Sequence, residues 1–134
     1  REYYEKLRDP KNMEFDNANI YKRLKPHETP AVPLAPGVKY NGAPVMVSEY
    51  GGFGFYKTST GKGLFESVRE FTLAIAECDY MWGYAYTQQY DTELEKNGLL
   101  EFDRKSKFPL EQLRSMSGEV DALVKSRWGG DVVL

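Results

Sequence analysis

An α/β fold with parallel strands is predicted by three observations. From Pro44 onward the apolar segments alternate in type, reading strand, helix, strand, helix. The first of them, Val45-Met46-Val47, is a continuous apolar run bounded by Asn41-Gly42 and Gly51-Gly52, the pattern of a strand covered on both faces. The link between the two strand segments is itself a helix, which implies a parallel pair with a right-handed crossover. Strands of this kind need cover on both sides and neighbours at both edges. Two strands do not meet that need, so the sequence reads as part of a larger sheet.

Each element has its own signal. Residues 1–8 place Tyr3, Tyr4 and Leu7 at helical spacing before Asp9-Pro10, the tail of a helix that Pro10 ends. Residues 11–25 are polar with scattered anchors, among them Met13 and Phe15. Pro26, Pro30, Pro33 and Pro36 with Gly37 and Gly42 then make a long connecting loop. After the first strand, which ends in Ser48-Glu49-Tyr50, glycines 51, 52 and 54 loosen the backbone and 57–63 is a polar turn. Leu64, Phe65, Val68, Phe71, Leu73, Ile75 and Ala76 follow the helical period with no breaker across 64–78. Residues 80–87 are aromatic and β-prone, and a polar loop with an Asn97-Gly98 turn follows. Pro109 opens a second helix through Leu110, Leu113, Met116, Val120, Leu123 and Val124, and Trp128-Gly129-Gly130 ends it. The organisation is therefore 1–43, a helix and Pro-rich loop, and 44–134, a βαβα segment, in one structural unit.

Composition removes several function classes. With 18 basic and 20 acidic residues the formal charge is −2, and no basic stripe interleaved with aromatics occurs, so neither nucleic acid nor a membrane surface is an expected partner. No apolar run reaches the roughly 18 residues that span a bilayer. One cysteine, Cys78, makes no internal disulfide and reads as a packing residue. His27 is the only histidine, which excludes a Ser-His-Asp triad and a His-rich metal site. Ten Tyr, seven Phe and two Trp leave a sugar-binding surface worth considering, because Tyr offers both a ring and a hydroxyl.

In parallel α/β folds ligands bind at the carboxyl ends of the strands. There this sequence places Ser48, Glu49 and Tyr50 after the first strand and Thr87, Gln88 and Asp91 after the second. A glutamate directly after an apolar strand is expected to be partly desolvated, and needs either a charge partner or a chemical task. A structural ion pair is the plainer alternative.

The run Pro44-Val45-Met46-Val47-Ser48-Glu49-Tyr50-Gly51-Gly52 resembles the segment of glycoside hydrolase family 2 enzymes in which the seventh barrel strand ends in the nucleophilic glutamate. Independently, Gly83-Tyr84-Ala85-Tyr86-Thr87-Gln88-Gln89-Tyr90-Asp91, continuing through Glu93, Glu95 and Asn97-Gly98-Leu99 to Phe102-Asp103-Arg104-Lys105, resembles the eighth strand and its loop in a bacterial subgroup of that family. Two motifs in the right order with a helix between them are more specific than either alone, and they cover about residues 44–108. The fold this resemblance implies is a fragment of a (β/α)8 TIM barrel, its last two βα units. A whole barrel needs at least about 200 residues. The activity implied is retaining hydrolysis of β-linked O-glycosides, first of all that of a β-galactosidase, with Glu49 as nucleophile.

Such chemistry uses two carboxyl groups about 5–5.5 Å apart, one attacking the anomeric carbon and one protonating the leaving oxygen. Glu49 must be ionised, and the hydroxyls of Tyr50 and Tyr86 are the expected local donors. Tyr86, nearest the carboxyl end of its strand, is expected to floor the sugar site, as an aromatic there does in the resembled family, and Trp82 to pack. Tyr50, Gln88 and Asp91 complete the expected substrate contacts. The resembled family carries its acid/base glutamate after an Asn at the end of the fourth strand, and no Asn-Glu dipeptide occurs in this sequence. The isolated chain is therefore expected to be inactive, its partners being a β-linked glycoside and the rest of the barrel. The reading calls for no cofactor and assigns no metal ligand.

Other motifs fail on spacing. Counting an EF-hand loop from Asp91 puts Lys96 and Phe102 where Gly and Glu belong. Gly52-Phe53-Gly54 would need a glycine at 57, which is Lys57, and a phosphate loop ending in Gly61-Lys62 would need Gly at 56 and Ser or Thr at 63, which are Tyr56 and Gly63. The alternative of another class is a non-catalytic carbohydrate-binding or interaction module using the Tyr-rich face, though such modules are usually sandwiches of many short strands. Exposed strand edges also make a homo-oligomer an expectation.

Overall fold

The computed structural model describes residues 8–14, 34–53 and 63–129. The helix expected at the start, His27, most of the proline loop and the polar turn before residue 63 lie outside them. The architecture is mixed α/β: strand β1 (Val45–Gly51), helix α1 (Leu64–Ala76), strand β2 (Met81–Thr87) and helix α2 (Leu110–Trp128), in the order expected. The two strands pair in parallel as one two-stranded sheet.

Helix α1 forms where apolar residues recur without a breaker, and it buries Val68, Thr72, Ala74, Ile75 and Ala76. Thr72 is tolerated there because its hydroxyl donates to the Val68 carbonyl one turn back at 2.7 Å. Helix α2 starts directly after Pro109 and stops at Gly129, whose left-handed conformation (φ 63°) carries an N–H to the Lys125 carbonyl at 3.0 Å. It is the more exposed helix, with Met116 the buried one among its described side chains. It meets α1 through an Arg69–Glu119 ion pair, and the Phe65 and Phe108 rings lie 5.2 Å apart just ahead of it. Arg127, in its last turn, pairs with Asp79 at 3.0 Å and so ties the helix to the start of β2.

At the amino ends of the strands, Met13, Cys78 and Tyr80 form a buried cluster, with Leu34, Tyr40, Val45 and Met81 packed around it. Met13 reaches it from a short 3-10 turn, Pro10–Met13, which Asp9 caps by accepting the Lys11 N–H at 3.0 Å. Glu14 fastens that turn to the later loop by accepting from Lys39 Nζ at 2.8 Å and the Tyr40 N–H at 3.2 Å. The described end of the proline-rich segment, residues 34–43, is thus anchored at this pole.

Two packing expectations are corrected. β1 alternates instead of being buried on both faces, with Met46 61 % exposed, and Trp82, expected to pack, is 63 % exposed. The physical reason is supply: the two strands and two longer helices among the described residues are too few to cover every apolar strand position.

Candidate active site at the carboxyl ends of the strands

The placement of Glu49 follows from a break in the register. Val47 is paired with Tyr84 and the next pairing is Tyr50 with Tyr86, so three steps along β1 match two along β2. Strict alternation would put Glu49 on the same side as the half-buried Val45 and Val47. The extra residue shifts the phase instead, leaving Glu49 exposed and Tyr50 buried. A bulge of this kind re-aims a side chain at the end of a strand. The expectation that Glu49 is desolvated is corrected by the same feature.

Tyr50 turns into the molecule. Its ring meets those of Tyr84 and Tyr86 edge-on, at 5.8 Å and 5.3 Å between centroids. Its hydroxyl pairs with Thr72 Oγ1. Because the Thr72 proton goes to the Val68 carbonyl, Tyr50 is the donor in that bond. The Tyr86 hydroxyl donates to the Asn97 carbonyl at 2.6 Å. Each phenol has one proton, so neither hydroxyl is the donor to Glu49 expected from sequence. Burial holds the Tyr86 hydroxyl in its protonated form, pushing its pKa well above the ordinary phenol value, with Tyr50 and Asp91 adding to the shift.

The next residue closes β1 against β2. Gly51 has φ 140°, and a Cβ there would lie 2.1 Å from the Thr87 carbonyl oxygen. No side chain fits that approach. After Thr87 the peptide bond to Gln88 is cis, and the chain enters a loop built on hydrogen bonds. The Asp91 N–H donates to the Leu100 carbonyl and the Leu100 N–H to the Gln89 carbonyl, both at 3.0 Å. Asp91, 1 % exposed, accepts the Gly98 N–H at 2.9 Å and Lys107 Nζ at 2.6 Å on one carboxylate oxygen. Burial alone would raise its pKa. The Lys107 and Gly98 hydrogen bonds and the charges of Lys107 and Lys96 outweigh that and leave it below the ordinary carboxylate value. Asn97, next to Gly98, donates from Nδ2 to the Thr87 carbonyl at 2.8 Å.

Glu49, Tyr50, Gly51, Gly52, Thr87, Glu95 and Asn97 line an open cleft of about 310 Å³ at this end of the sheet. The structure therefore brings Glu49 and Tyr50 together, Tyr50 with its hydroxyl turned inward. It does not bring Tyr86, Gln88 or Asp91 to the cleft wall. Tyr86 supports Asn97 from behind. Gln88 donates from Nε2 to Thr92 Oγ1 at 3.2 Å and to Glu95 Oε2 at 3.1 Å, which orients Glu95. Asp91 pins the loop.

Glu95 and Asn97 are wall residues that the sequence reading placed in the loop after the second strand but did not count among the substrate contacts. The usable signal was the Asn97-Gly98 turn, which brings the loop back under the end of β2. Among the described residues no group of three or more acidic, His or Cys side chains could hold a metal, and no helix is long and apolar enough to cross a membrane. No protein-family model matches the chain, and no curated protein matches it.

Proposed function

We propose that the chain is the carboxyl-terminal part of a retaining β-glycosidase, the last two βα units of a (β/α)8 barrel, with Glu49 as the nucleophile. The observation that carries this reading is the placement of Glu49. It stands exposed at the carboxyl end of a parallel strand, re-aimed by a bulge, in a cleft whose other wall is the end of the neighbouring parallel strand and its loop. The residue order around it, with the glutamate followed by Tyr-Gly-Gly, is what the resemblance to glycoside hydrolase family 2 requires.

In this reading the Glu49 carboxylate attacks the anomeric carbon as the glycosidic C–O bond breaks, giving a glycosyl ester. A second carboxyl group, supplied by another barrel strand, protonates the departing oxygen. It then takes a proton from the water that cleaves the ester, and Glu49 leaves as carboxylate. A β-galactoside is the first substrate to try. The cleft also needs the remaining strands to enclose a sugar, and these same strands would cover the exposed Met46 and the open edges of the sheet.

The test has two arms. The isolated chain, incubated with nitrophenyl β-galactoside, β-glucuronide and β-mannoside, gives no turnover. The longer protein, with the upstream strands present, hydrolyses one of them and loses more than about a thousandfold in kcat on Glu49→Gln. Turnover by the isolated chain that Glu49→Gln abolishes would overturn the fragment reading, and a longer protein indifferent to Glu49→Gln would overturn the role of Glu49.

A further inference from the structure

The bulge that presents Glu49 is held from outside the sheet. Between the pairs Val47–Tyr84 and Tyr50–Tyr86 lie Ser48 and Glu49 on β1 but Ala85 alone on β2, so the register gives neither Ser48 nor Glu49 a partner. A regular register would match Glu49 with Tyr86. It would also turn Tyr50 outward and Glu49 inward, because a slip of one residue moves side chains to the opposite face. The choice between the two registers therefore rests on what keeps Tyr50 inside. Tyr50 is 8 % exposed, its ring lies edge-on to those of Tyr84 and Tyr86, and its hydroxyl donates to Thr72 Oγ1. Thr72 is fully buried in α1 and passes its own proton to the Val68 carbonyl at 2.7 Å. This bond ties the depth of Tyr50 to the helix, and Tyr50 is the backbone neighbour of Glu49.

From this we infer that Thr72 is a positioning residue for the nucleophile: acting through Tyr50, it fixes the bulged register and with it the direction in which Glu49 leaves β1. The inference rests on the glycosidase reading, since the direction of the carboxylate matters to a reaction only if the carboxylate attacks. Thr72 itself does not line the cleft. Burial of the ring needs no hydroxyl, and a Phe would fill the same space with no polar group to satisfy. The hydroxyl makes the inward position depend on Thr72. Without that acceptor the buried O–H is stranded, which costs more than the bond itself contributes, and the outward register gains by comparison. A catalytic group misplaced by about 1 Å loses about a hundredfold in rate, so a smaller shift of Glu49 corresponds to about tenfold.

The experiment uses the longer protein, with the upstream strands present, and whichever nitrophenyl β-glycoside it hydrolyses. Turnover is expressed per active site, counted by titration with a slowly released fluoroglycoside, so that a loss of folded protein does not register as a loss of kcat. Thr72→Val, which keeps the volume and removes the acceptor, is expected to lower kcat about tenfold or more while KM moves less than about threefold. Thr72→Ser keeps the hydroxyl and should hold kcat within about threefold of the wild type. Tyr50→Phe removes the same bond without stranding a donor and should cost about threefold, and Thr72→Val added to it should cost nothing further. Wild-type kcat in Thr72→Val, an equal loss in Thr72→Ser, or losses that multiply in the double variant would overturn the inference and leave the glycosidase reading standing. Turnover indifferent to Glu49→Gln would overturn both. Should Thr72→Val alone not fold, Thr72→Ser and the double variant, in which no hydroxyl is stranded, decide the matter by the same criteria.

Discussion

Lys107 Nζ lies 2.6 Å from Asp91 Oδ1, with side-chain exposures of 13 % and 1 %. The same ammonium also donates to the Lys96 carbonyl at 2.8 Å, so one half-buried charge joins both ends of the loop that carries Glu95 and Asn97. Removing one member of a buried pair strands the other, at a cost of about 3 kcal/mol or more. Asp91→Asn is therefore expected to destabilise the fold by about that amount. Urea unfolding checks this, read as a lower midpoint at unchanged slope.

The same carboxylate sets an acid limb. Its folded pKa lies below the ordinary value because Lys107 and Gly98 favour the charged form more than burial disfavours it. A depressed carboxylate stabilises fully above its unfolded pKa, about 3.9, and loses that contribution as pH falls through the folded value. The stability difference between wild type and Asp91→Asn should be constant above about pH 5 and shrink below about pH 4. A difference that grows on acidification would contradict the assignment.

Gly98 is required by space. A Cβ there would lie 2.3 Å from the Asp91 nitrogen and the Tyr90 carbonyl carbon, both backbone atoms that have no rotamer to yield. Gly98→Ala should displace the loop and release Asn97 from Thr87 and Tyr86. Amide hydrogen exchange checks it, with protection lost at residues 91 and 98–100 while α1 keeps its own.

Cys78 should be chemically silent. Burial raises its thiol pKa from 9.0 to about 11, against the pull of Arg8 and Arg127. At pH 8 the folded protein should resist iodoacetamide, and urea-unfolded protein should react fully. Since the unfolded thiol ionises first as pH rises, the Cys78 contribution to stability falls between about pH 9 and 11.

The order of the elements was legible because apolar periodicity survives in local sequence. Leu64 to Ala76 has an uninterrupted helical period, and Pro109 and Gly129 mark the ends of α2. Glu49 was legible from its position at the end of an apolar strand. Its exposure was not, because the bulge that re-aims it is a relation between two strands, seen only when Tyr50 is paired with Tyr86. Tyr86, Gln88 and Asp91 were read as sugar contacts because polar groups at a strand end look alike in sequence. In the structure Asp91 answers Lys107, 16 residues away, and Tyr86 answers the carbonyl of Asn97. Glu95 and Asn97 were placed in the loop after the second strand but not among the substrate contacts, since what brings them to the cleft is the fastening of that loop.

The nucleophile is tested most directly by trapping. A 2-deoxy-2-fluoro β-glycoside with a dinitrophenolate leaving group slows hydrolysis of the glycosyl ester more than its formation, so the ester accumulates. Applied to the longer protein and followed by peptide mass spectrometry, the fluoroglycosyl adduct is predicted on Glu49, with dinitrophenolate released in a burst equal to the enzyme present. An adduct on any other carboxylate, or a burst undiminished in Glu49→Gln, would contradict the account.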